Sequence, residues 1–208
     1  MGWWSERVLP GLIERSLDQP AVHERRVATC LGLVGDVVEL GFGSGLNLTA
    51  YPPEVTACWA VEPSERAWSL AADRRAAAPV PVRRVALEGN RIDLADGSAD
   101  AALSTFTLCT VPDLTATLGE VRRVVGPGGA LHFLEHGVAP DAGVVRWQHR
   151  LDPLQQRLAG GCHLTRDIPG ALEAAGFDVT VDSAAYLPFG TMSRPWSFVR
   201  RGRAVVRS

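Results

Sequence analysis

The segment that decides the fold is VVELGFGSGLNL, residues 37–48. Its apolar run carries the acid Glu39 and leads into three alternating glycines, Gly41, Gly43 and Gly45. Glycine adopts backbone conformations, and allows close approaches, that a side chain would forbid. The segment therefore predicts a buried strand, followed by a loop whose backbone comes very close to a ligand.

Outward from this segment, short apolar runs alternate with helical patterns. We predict strands at 35–40, 55–62, 80–87, 98–106, 130–136, 177–186 and 198–206. We predict helices at 64–78, 113–125 and 167–175, and a helical stretch at 141–158 that Pro153 interrupts. Strands that alternate with helices form parallel sheets covered on both faces. The expected fold class is α/β: a Rossmann-like, doubly wound sheet of seven strands, mostly parallel, with an antiparallel last strand.

The length of 208 residues favours a single domain, 1–208. Within it, we expect residues 1–34 to form an N-terminal helical cover in which Trp3 and Trp4 are packing anchors. We expect residues 141–166 to form a helical insertion and a loop over the substrate side of the sheet.

The composition narrows the class of protein. A net charge of −2 is not the basic charge typical of nucleic-acid-binding proteins. No signal-peptide pattern is present, and no apolar run approaches the ~20 residues of a membrane span. The four widely spaced cysteines favour reduced thiols over a disulfide framework. We expect a cytoplasmic protein whose partner is a small molecule, with no nucleic acid and no integral membrane segment; the sequence predicts no oligomeric state.

The glycine loop can be compared with a dinucleotide site, which also joins a strand to a helix. The dinucleotide pattern G-x-G-x-x-G requires a third glycine where this chain has Leu46. A carboxylate such as Glu39 would also repel a pyrophosphate, whereas it suits a ligand that carries an ammonium and a sulfonium. The loop therefore favours S-adenosylmethionine as the ligand.

Acids also follow the next two predicted strands. Glu62 ends the second strand, where a carboxylate can accept from both the 2′ and the 3′ hydroxyl of a ribose. Glu88 follows the third strand and can accept from an adenine amino group, while the Gly89 N–H faces the ring. One such acid alone is usually a solvated charge, but the ordered set predicts a cofactor site. The predicted cofactor-binding residues are Glu39, Gly41, Phe42, Gly43, Gly45, Asn47, Glu62, Pro63, Glu88, Gly89, Thr105 and Phe106.

Four segments carry a family resemblance: ELGFGSGLNLTAYPP, ADGSADAALSTFTLCTVPD, EVRRVVGPGGALHFLEHG and WQHRLDPLQQRLAGGCHLTR. From about residue 36 to residue 177, the chain resembles class I S-adenosylmethionine-dependent methyltransferases. Within them it is similar to the alkyl-thiol methyltransferases and to their bacterial relatives, which are often labelled phospholipid or quinone methyltransferases. Phe42 stands where that family usually has a small residue or Cys, and Glu62 replaces the commoner Asp.

The resemblance implies an S-adenosylmethionine-dependent methyltransferase that acts on a small molecule, first of all a thiol, by direct in-line methyl transfer. One alternative is N-, C- or O-methylation of a lipid amine or a quinone-like ring. Another is a non-catalytic cofactor-binding protein, because a fold alone does not establish activity. In this fold class, Thr105 and Phe106 are expected to line the methionine half of the cofactor.

The segment HFLEH, 132–136, matches the zinc-protease pattern H-x-x-E-H. We predict a strand here, and four residues of strand span ~13 Å, too far for two imidazoles to share a zinc ion at ~2.0–2.1 Å. His136 ends the fifth predicted strand, where it either orients or deprotonates an acceptor or caps a neighbouring loop. Glu135 is expected to be its partner or a structural acid.

The segment GGCHLTR, 160–166, places a pair of glycines before Cys162 and His163. The glycines can bring His163 to the same pocket as His136, and we predict these two histidines as the catalytic residues. Cys162 is equally well explained by a structural role. A single Cys-His pair has too few ligands for a metal, so no metal is expected. Asp152 is expected to cap a helix that restarts near Pro153, rather than to reach the substrate.

Overall fold

The computed structural model describes residues 7–207; Trp3 and Trp4 lie outside them. The strands are β1 (Gly35–Leu40), β2 (Val55–Val61), β3 (Val82–Ala86), β4 (Ala101–Thr105), β5 (Ala130–His136), β6 (Phe177–Tyr186) and β7 (Phe198–Val206). They form a seven-stranded sheet in the order β3-β2-β1-β4-β5-β7-β6. The pairs among β1 to β5 are parallel, and β7 is antiparallel to both β5 and β6. The predicted fold class is confirmed.

The helices fill the connections between these strands. They are α1 (Leu9–Leu17), α2 (Pro20–Cys30), α3 (Glu65–Leu70), α4 (Ala72–Ala76), α5 (Leu114–Val125), α6 (Ala142–Leu158), α7 (Ile168–Ala174) and α8 (Arg194–Ser197), with short 3₁₀ helices at Leu48–Ala50 and Thr191–Ser193. None of the helices within residues 7–207 combines the length and the apolar character that crossing a membrane requires.

Two helix predictions were wrong. The single helix expected at 64–78 is divided into α3 and α4 at Ala71, although Ser64 caps α3 as expected, accepting from the Ala67 N–H at 3.1 Å. The helix α6 runs unbroken through Pro153. Proline at that position removes one backbone hydrogen-bond donor. The other hydrogen bonds of this 17-residue helix are enough to keep it continuous. Asp152 therefore lies inside α6 and does not cap a second helix.

The sheet is covered on both faces because side chains alternate along its strands. Val38 and Leu40 of β1 pack with Leu118 of α5 in one core cluster. Val37, the residue before Val38, faces the opposite way and packs with Cys30 of α2 in another cluster. The chain order reverses between β1 and β4, so the crevice beyond their carboxyl ends is the place where this class of sheet binds ligands.

Candidate active site

The glycine loop follows β1 at the carboxyl edge of the sheet. Gly41, Gly43 and Gly45 have φ values of 62°, 59° and 78°, a region that favours glycine. A Cβ built at Gly41 would overlap the side chain of Thr107. At Gly43 the nearest atom to such a Cβ is the Gly41 carbonyl oxygen, 3.8 Å away. Gly41 is therefore required by packing, whereas Gly43 faces free space that a ligand can enter.

Glu62 joins the glycine loop to the start of α3. Its carboxylate accepts from the Gly43 N–H at 2.6 Å and from the Ser64 N–H at 2.7 Å. Burial raises the pKa of Glu62, and the two backbone donors and Arg84 oppose that effect. Each carboxylate oxygen has two acceptor sites, so one on each oxygen remains for a ribose hydroxyl.

The side chain of Glu39 lies inside the protein, beneath the glycine loop. It is fully buried and accepts from Asn47 Nδ2 at 2.8 Å and from the Tyr51 hydroxyl. Burial raises the pKa of Glu39 to about 7, against the opposing effects of Tyr51, Asn47 and Arg26. The structure thus places this predicted residue behind the ligand-facing backbone, where it supports the loop from within.

Arg26 of α2 completes this buried network, and the sequence analysis missed it. Its Nη1 donates to Asn47 Oδ1 at 2.7 Å and to Thr105 Oγ1 at 2.6 Å, and Asn47 Nδ2 also donates to Thr105 Oγ1 at 3.0 Å. Only 4% of Arg26 is exposed, and its Nε has no hydrogen-bond partner among the described residues. A buried cation normally has a partner, and the sequence of α2 gives no sign that Arg26 is buried.

The other predicted cofactor residues lie around this loop with different exposures. The Phe42 ring is buried against Trp68, with ring centroids 5.4 Å apart, so only its backbone can face a ligand. Pro63 and Glu88 are exposed beyond β2 and β3. Gly89 is half-buried, and a Cβ built there would lie 2.9 Å from Thr117 Cγ2.

Phe106 follows β4 and lies next to His136 at the end of β5. It is a non-glycine residue with a positive φ, 56°, a conformation that costs energy and often marks a functional constraint. Its ring contacts the His136 ring at 4.9 Å between centroids, and the Arg26 guanidinium lies 5.5 Å from its centre. Phe106 therefore touches both the buried network and the end of β5.

His136 meets two cysteines that are distant in sequence. One ligand atom each from Cys109, His136 and Cys162 lies within 4.8 Å of the others. The Cys162 and Cys109 sulfurs are 3.7 Å apart. The hydrogen bond between the two cysteines, together with His136, holds the pKa of Cys162 well below the usual range of a thiol. The sequence offers no pattern that associates Cys109 with either partner.

His163 lies beside this cluster, and its ring is directed elsewhere. Its backbone N–H donates to the Cys109 carbonyl at 2.8 Å, while its Nδ1 lies 3.6 Å from Asp152 Oδ2. Asp152 in turn accepts from the Leu164 N–H at 2.5 Å, which fixes the loop after α6. The structure thus brings Cys162, rather than His163, against His136. A shared pocket for the two histidines stays a prediction.

Glu135 is a structural acid that shapes the loop after β4. It is fully buried and accepts from the Ser104 hydroxyl at 2.7 Å, the Thr107 N–H at 3.0 Å and the Cys109 N–H at 3.2 Å. Burial raises the pKa of Glu135, and these donors oppose that effect. The acid therefore holds Cys109 beside His136 through the backbone.

The chain is similar to known methyltransferases. Residues 38–133 match the family model described as a methyltransferase domain. The chain is 39% identical over 148 residues to the thiol S-methyltransferase TMT1A of Homo sapiens, covering 68% of this chain and 59% of the relative. It is 37% identical over 149 residues to TMT1B of Rattus norvegicus, with the same coverage of 68% and 59%. The chain thus spans 59% of the length of these two relatives.

More distant matches extend the same picture. A demethylmenaquinone methyltransferase of Mycobacterium sp. (strain JLS) is 32% identical over 121 residues, which are 58% of this chain and 50% of that protein. A solved S-adenosylmethionine-dependent methyltransferase of Thermotoga maritima superposes with a TM-score of 0.67 at 22% identity, covering 95% and 96% of the two chains. One from Aquifex aeolicus gives 0.64 at 17% identity, with coverage of 95% and 98%. The structures show the shared fold, and together these matches confirm the resemblance to class I methyltransferases.

Proposed function

We propose that this chain, which carries a methyltransferase domain on a class I fold, is an S-adenosylmethionine-dependent methyltransferase of a small thiol. The observation that carries the proposal is the arrangement along one sheet edge. The open face of Gly43 and the carboxylate of Glu62 lie at the ends of β1 and β2, and the cluster around His136 follows at the ends of β4 and β5. A cofactor and an acceptor can therefore lie side by side.

The residues of the first part fit the cofactor. Gly43 leaves room above its backbone, and Glu62 keeps free acceptor sites for two ribose hydroxyls. The exposed Glu88 and the Gly89 N–H are available to an adenine ring. Arg26 supplies a buried cation with an unpaired Nε, which suits the carboxylate of a methionine moiety. We assign the remaining predicted positions, from Glu39 to Phe106, to shaping this cradle from below and beside it.

When bound, S-adenosylmethionine supplies a methyl group on a sulfonium that is already activated for displacement. The protein then has to hold an acceptor in line and to exclude water, so positioning supplies most of the rate. His136, half-buried against Phe106, is placed to take a proton from an acceptor that arrives protonated. We keep His163 as the second catalytic candidate, because its backbone bond to Cys109 holds it at the same rim.

We propose that residues 141–166, which comprise α6 and the loop after it, cover the acceptor, and that α1 and α2 form the N-terminal part of the same single domain. A thiol acceptor is favoured by the names of the relatives with 37–39% identity. The demethylmenaquinone methyltransferases supply the second candidate, a quinone-like ring. A lipid amine and a non-catalytic cofactor-binding role are the remaining alternatives.

The test combines binding and turnover. Calorimetry with S-adenosylhomocysteine measures the cofactor site directly. Incubation with methyl-labelled S-adenosylmethionine and a panel of alkyl thiols, amines and phenols then identifies the acceptor by mass spectrometry. We expect binding at one site per chain and a methyl thioether product. Methylation of only phenols or amines would select an alternative acceptor, and binding without any product would select the non-catalytic role.

A further inference from the structure

The cluster of Cys109, His136 and Cys162 joins three separate parts of the chain. Cys109 comes from the loop after β4, His136 ends β5, and Cys162 follows the glycine pair after α6. Both cysteines are buried, and His136 is half-buried. From the sequence, Cys162 and His163 were the only ligands expected together, and no metal was predicted. The fold supplies three ligands instead, and they are a different set.

The spacing of these atoms is close to that of a zinc site. Zinc binds sulfur at ≈ 2.3 Å in a tetrahedral arrangement, which places two bound sulfurs about 3.8 Å apart. The Cys109 and Cys162 sulfurs are 3.7 Å apart. All three ligand atoms lie within 4.8 Å of one another, so the widest pair has to close by at most about 1 Å to reach the spacing of a zinc site. Gly160 and Gly161, with φ values of 62° and 91°, precede Cys162 and allow such a shift.

We propose that Cys109, His136 and Cys162 bind one zinc ion, and that its fourth position accepts the sulfur of the acceptor thiol. Thiolates and imidazole are ligands that zinc prefers, and catalytic zinc sites keep one of their four positions open. The inference rests on the proposed thiol methyltransferase function and specifies how the acceptor is held. It also explains why two cysteines line an edge where direct methyl transfer needs no protein nucleophile.

Zinc in this place would activate the acceptor. The S–H bond of the thiol breaks as its sulfur binds the ion, the proton passes to solvent, and no electron is gained or lost. A free thiol with a pKa of ≈ 8.5 is only a few per cent thiolate at neutral pH, whereas a thiol that coordinates a metal is deprotonated outright. With zinc bound, His136 would serve as a ligand, and the ion would replace His136 as the group that deprotonates this acceptor.

The surroundings hold the ligands through the backbone, as the outer shell of a metal site does. The Cys109 N–H donates to Glu135 at 3.2 Å, and the Cys109 carbonyl accepts from the His163 N–H at 2.8 Å. Arg166 Nη1 donates to the carbonyls of Leu108 and Val111 at 2.7 and 2.8 Å. The loop that carries Cys109 is therefore fixed on both sides of the sulfur.

Cobalt(II) tests the site without any enzymatic reaction, because it replaces zinc and absorbs visible light. The full chain is treated with a chelator, kept reduced with a phosphine, which does not compete as a thiol would, and titrated with Co²⁺. We expect one equivalent to give the strong visible bands of a tetrahedral ion and a sulfur-to-cobalt band, and Zn²⁺ to displace it. Ethanethiol, as the probe acceptor, should then change the cobalt spectrum.

Variants locate the ion. Cys162→Ser and Cys109→Ser should each weaken the sulfur-to-cobalt band and raise the Co²⁺ dissociation constant by at least about 10-fold. Cys30→Ala is the matched control, because Cys30 is a free buried thiol in a different core cluster. It should leave the titration unchanged. A cobalt spectrum that is the same in wild type and Cys162→Ser would overturn the proposal.

Two further outcomes would also overturn it. One is a cobalt spectrum that ethanethiol leaves unchanged, since the fourth position would then not be open to an acceptor. The other is mass spectrometry that finds a Cys109–Cys162 disulfide in a protein that binds no Co²⁺ after reduction. The proposed function is judged separately. Full thiol methylation after chelation keeps that function and rejects zinc, while Co²⁺ binding without methylation of any thiol rejects the function.

Discussion

The two parts of this sheet edge are held in opposite ways. The cofactor part is the glycine loop and Glu62, to which we assign the cofactor. There a side chain fixes the backbone, because the Glu62 carboxylate accepts from the Gly43 and Ser64 N–H groups. The acceptor part is His136 and the loops that carry Cys109 and Cys162. There the backbone is fixed, for example by the bond from the Cys109 N–H to Glu135, so that the three side chains can meet. Backbone changes should therefore damage the first part most, and side-chain changes the second.

The largest effect is expected from Gly43→Val. A β-branched residue is strained at a φ of 59°, and its side chain would fill the free space above the loop. We expect calorimetry to detect no binding of S-adenosylhomocysteine. Gly97→Val is the matched control, because Gly97 has a φ of 61° and free space around it but lies away from the edge. Equal loss of unfolding free energy in the two variants, with binding lost in both, would contradict this prediction.

The next largest effect is expected on turnover in His136→Ala. General bases contribute ~10²–10⁴-fold, so turnover with a thiol should fall by about that factor while the affinity for S-adenosylhomocysteine is kept. If the histidine acts as a base, the loss should shrink as the pH approaches the thiol pKa of ≈ 8.5. His23→Ala, at an exposed position on α2, is the control. A fully active His136→Ala variant would show that this side chain has no part in the reaction.

A smaller effect is expected on affinity in Glu62→Ala. Hydrogen bonds to a charged group contribute ≈ 1.5–3 kcal/mol each. Glu62→Ala removes both proposed ribose contacts, so the dissociation constant of S-adenosylhomocysteine should rise by at least roughly 10-fold to 100-fold, the effect of one contact. Glu65→Ala removes the neighbouring exposed acid, which pairs with Arg84 at 2.6 Å, and should keep wild-type affinity. Calorimetry on both variants makes the comparison, and equal affinities would remove Glu62 from the site.

The smallest functional effect is expected from Glu39→Gln, which should change the stability of the unliganded protein more than its activity. The folded protein holds the Glu39 proton with a pKa of about 7, above its ordinary value of 4.5. Between these values the folded state binds more protons than the unfolded state, so stability is lost as the pH rises through about 7. The variant should lack this pH dependence, which changes the free energy of unfolding by at most about 1.4 kcal/mol per pH unit. Urea unfolding from pH 5 to pH 8 should show wild type losing stability relative to the variant; a constant difference would contradict the assignment.

The positions of Gly43 and Glu62 in the proposed cofactor part were largely predictable, because these residues lie at the ends of successive strands. Once β1 and β2 were located, Gly43 and Glu62 had to meet at one edge, and the structure joins them at 2.6 Å. The direction of Glu39 was not predictable in the same way. Neighbouring residues of a strand face opposite sides of the sheet, but the contacts of each side chain depend on packing. Here Tyr51 and Asn47 enclose the Glu39 carboxylate.

The acceptor part was less predictable because it depends on long-range pairing. His136 was identified from the end of β5, yet its contacts with Cys109 and Cys162 arise from loops whose path no periodicity describes. Arg26 was missed for a related reason. Its α2 pattern shows an ordinary helix, and only the fold brings the guanidinium to Thr105, which is 79 residues away in sequence.

The antiparallel strand β7 also determines the order in which the chain can complete this edge. It lies between β5 and β6 in the sheet, and it pairs Val199 with His136. During synthesis, β1 to β5 can align as soon as they emerge, whereas β6 has no sheet neighbour until β7 exists. Residues 177–206 therefore close the sheet as one late hairpin, and until then the outer edge of the strand that ends in His136 stays open to solvent and to other chains.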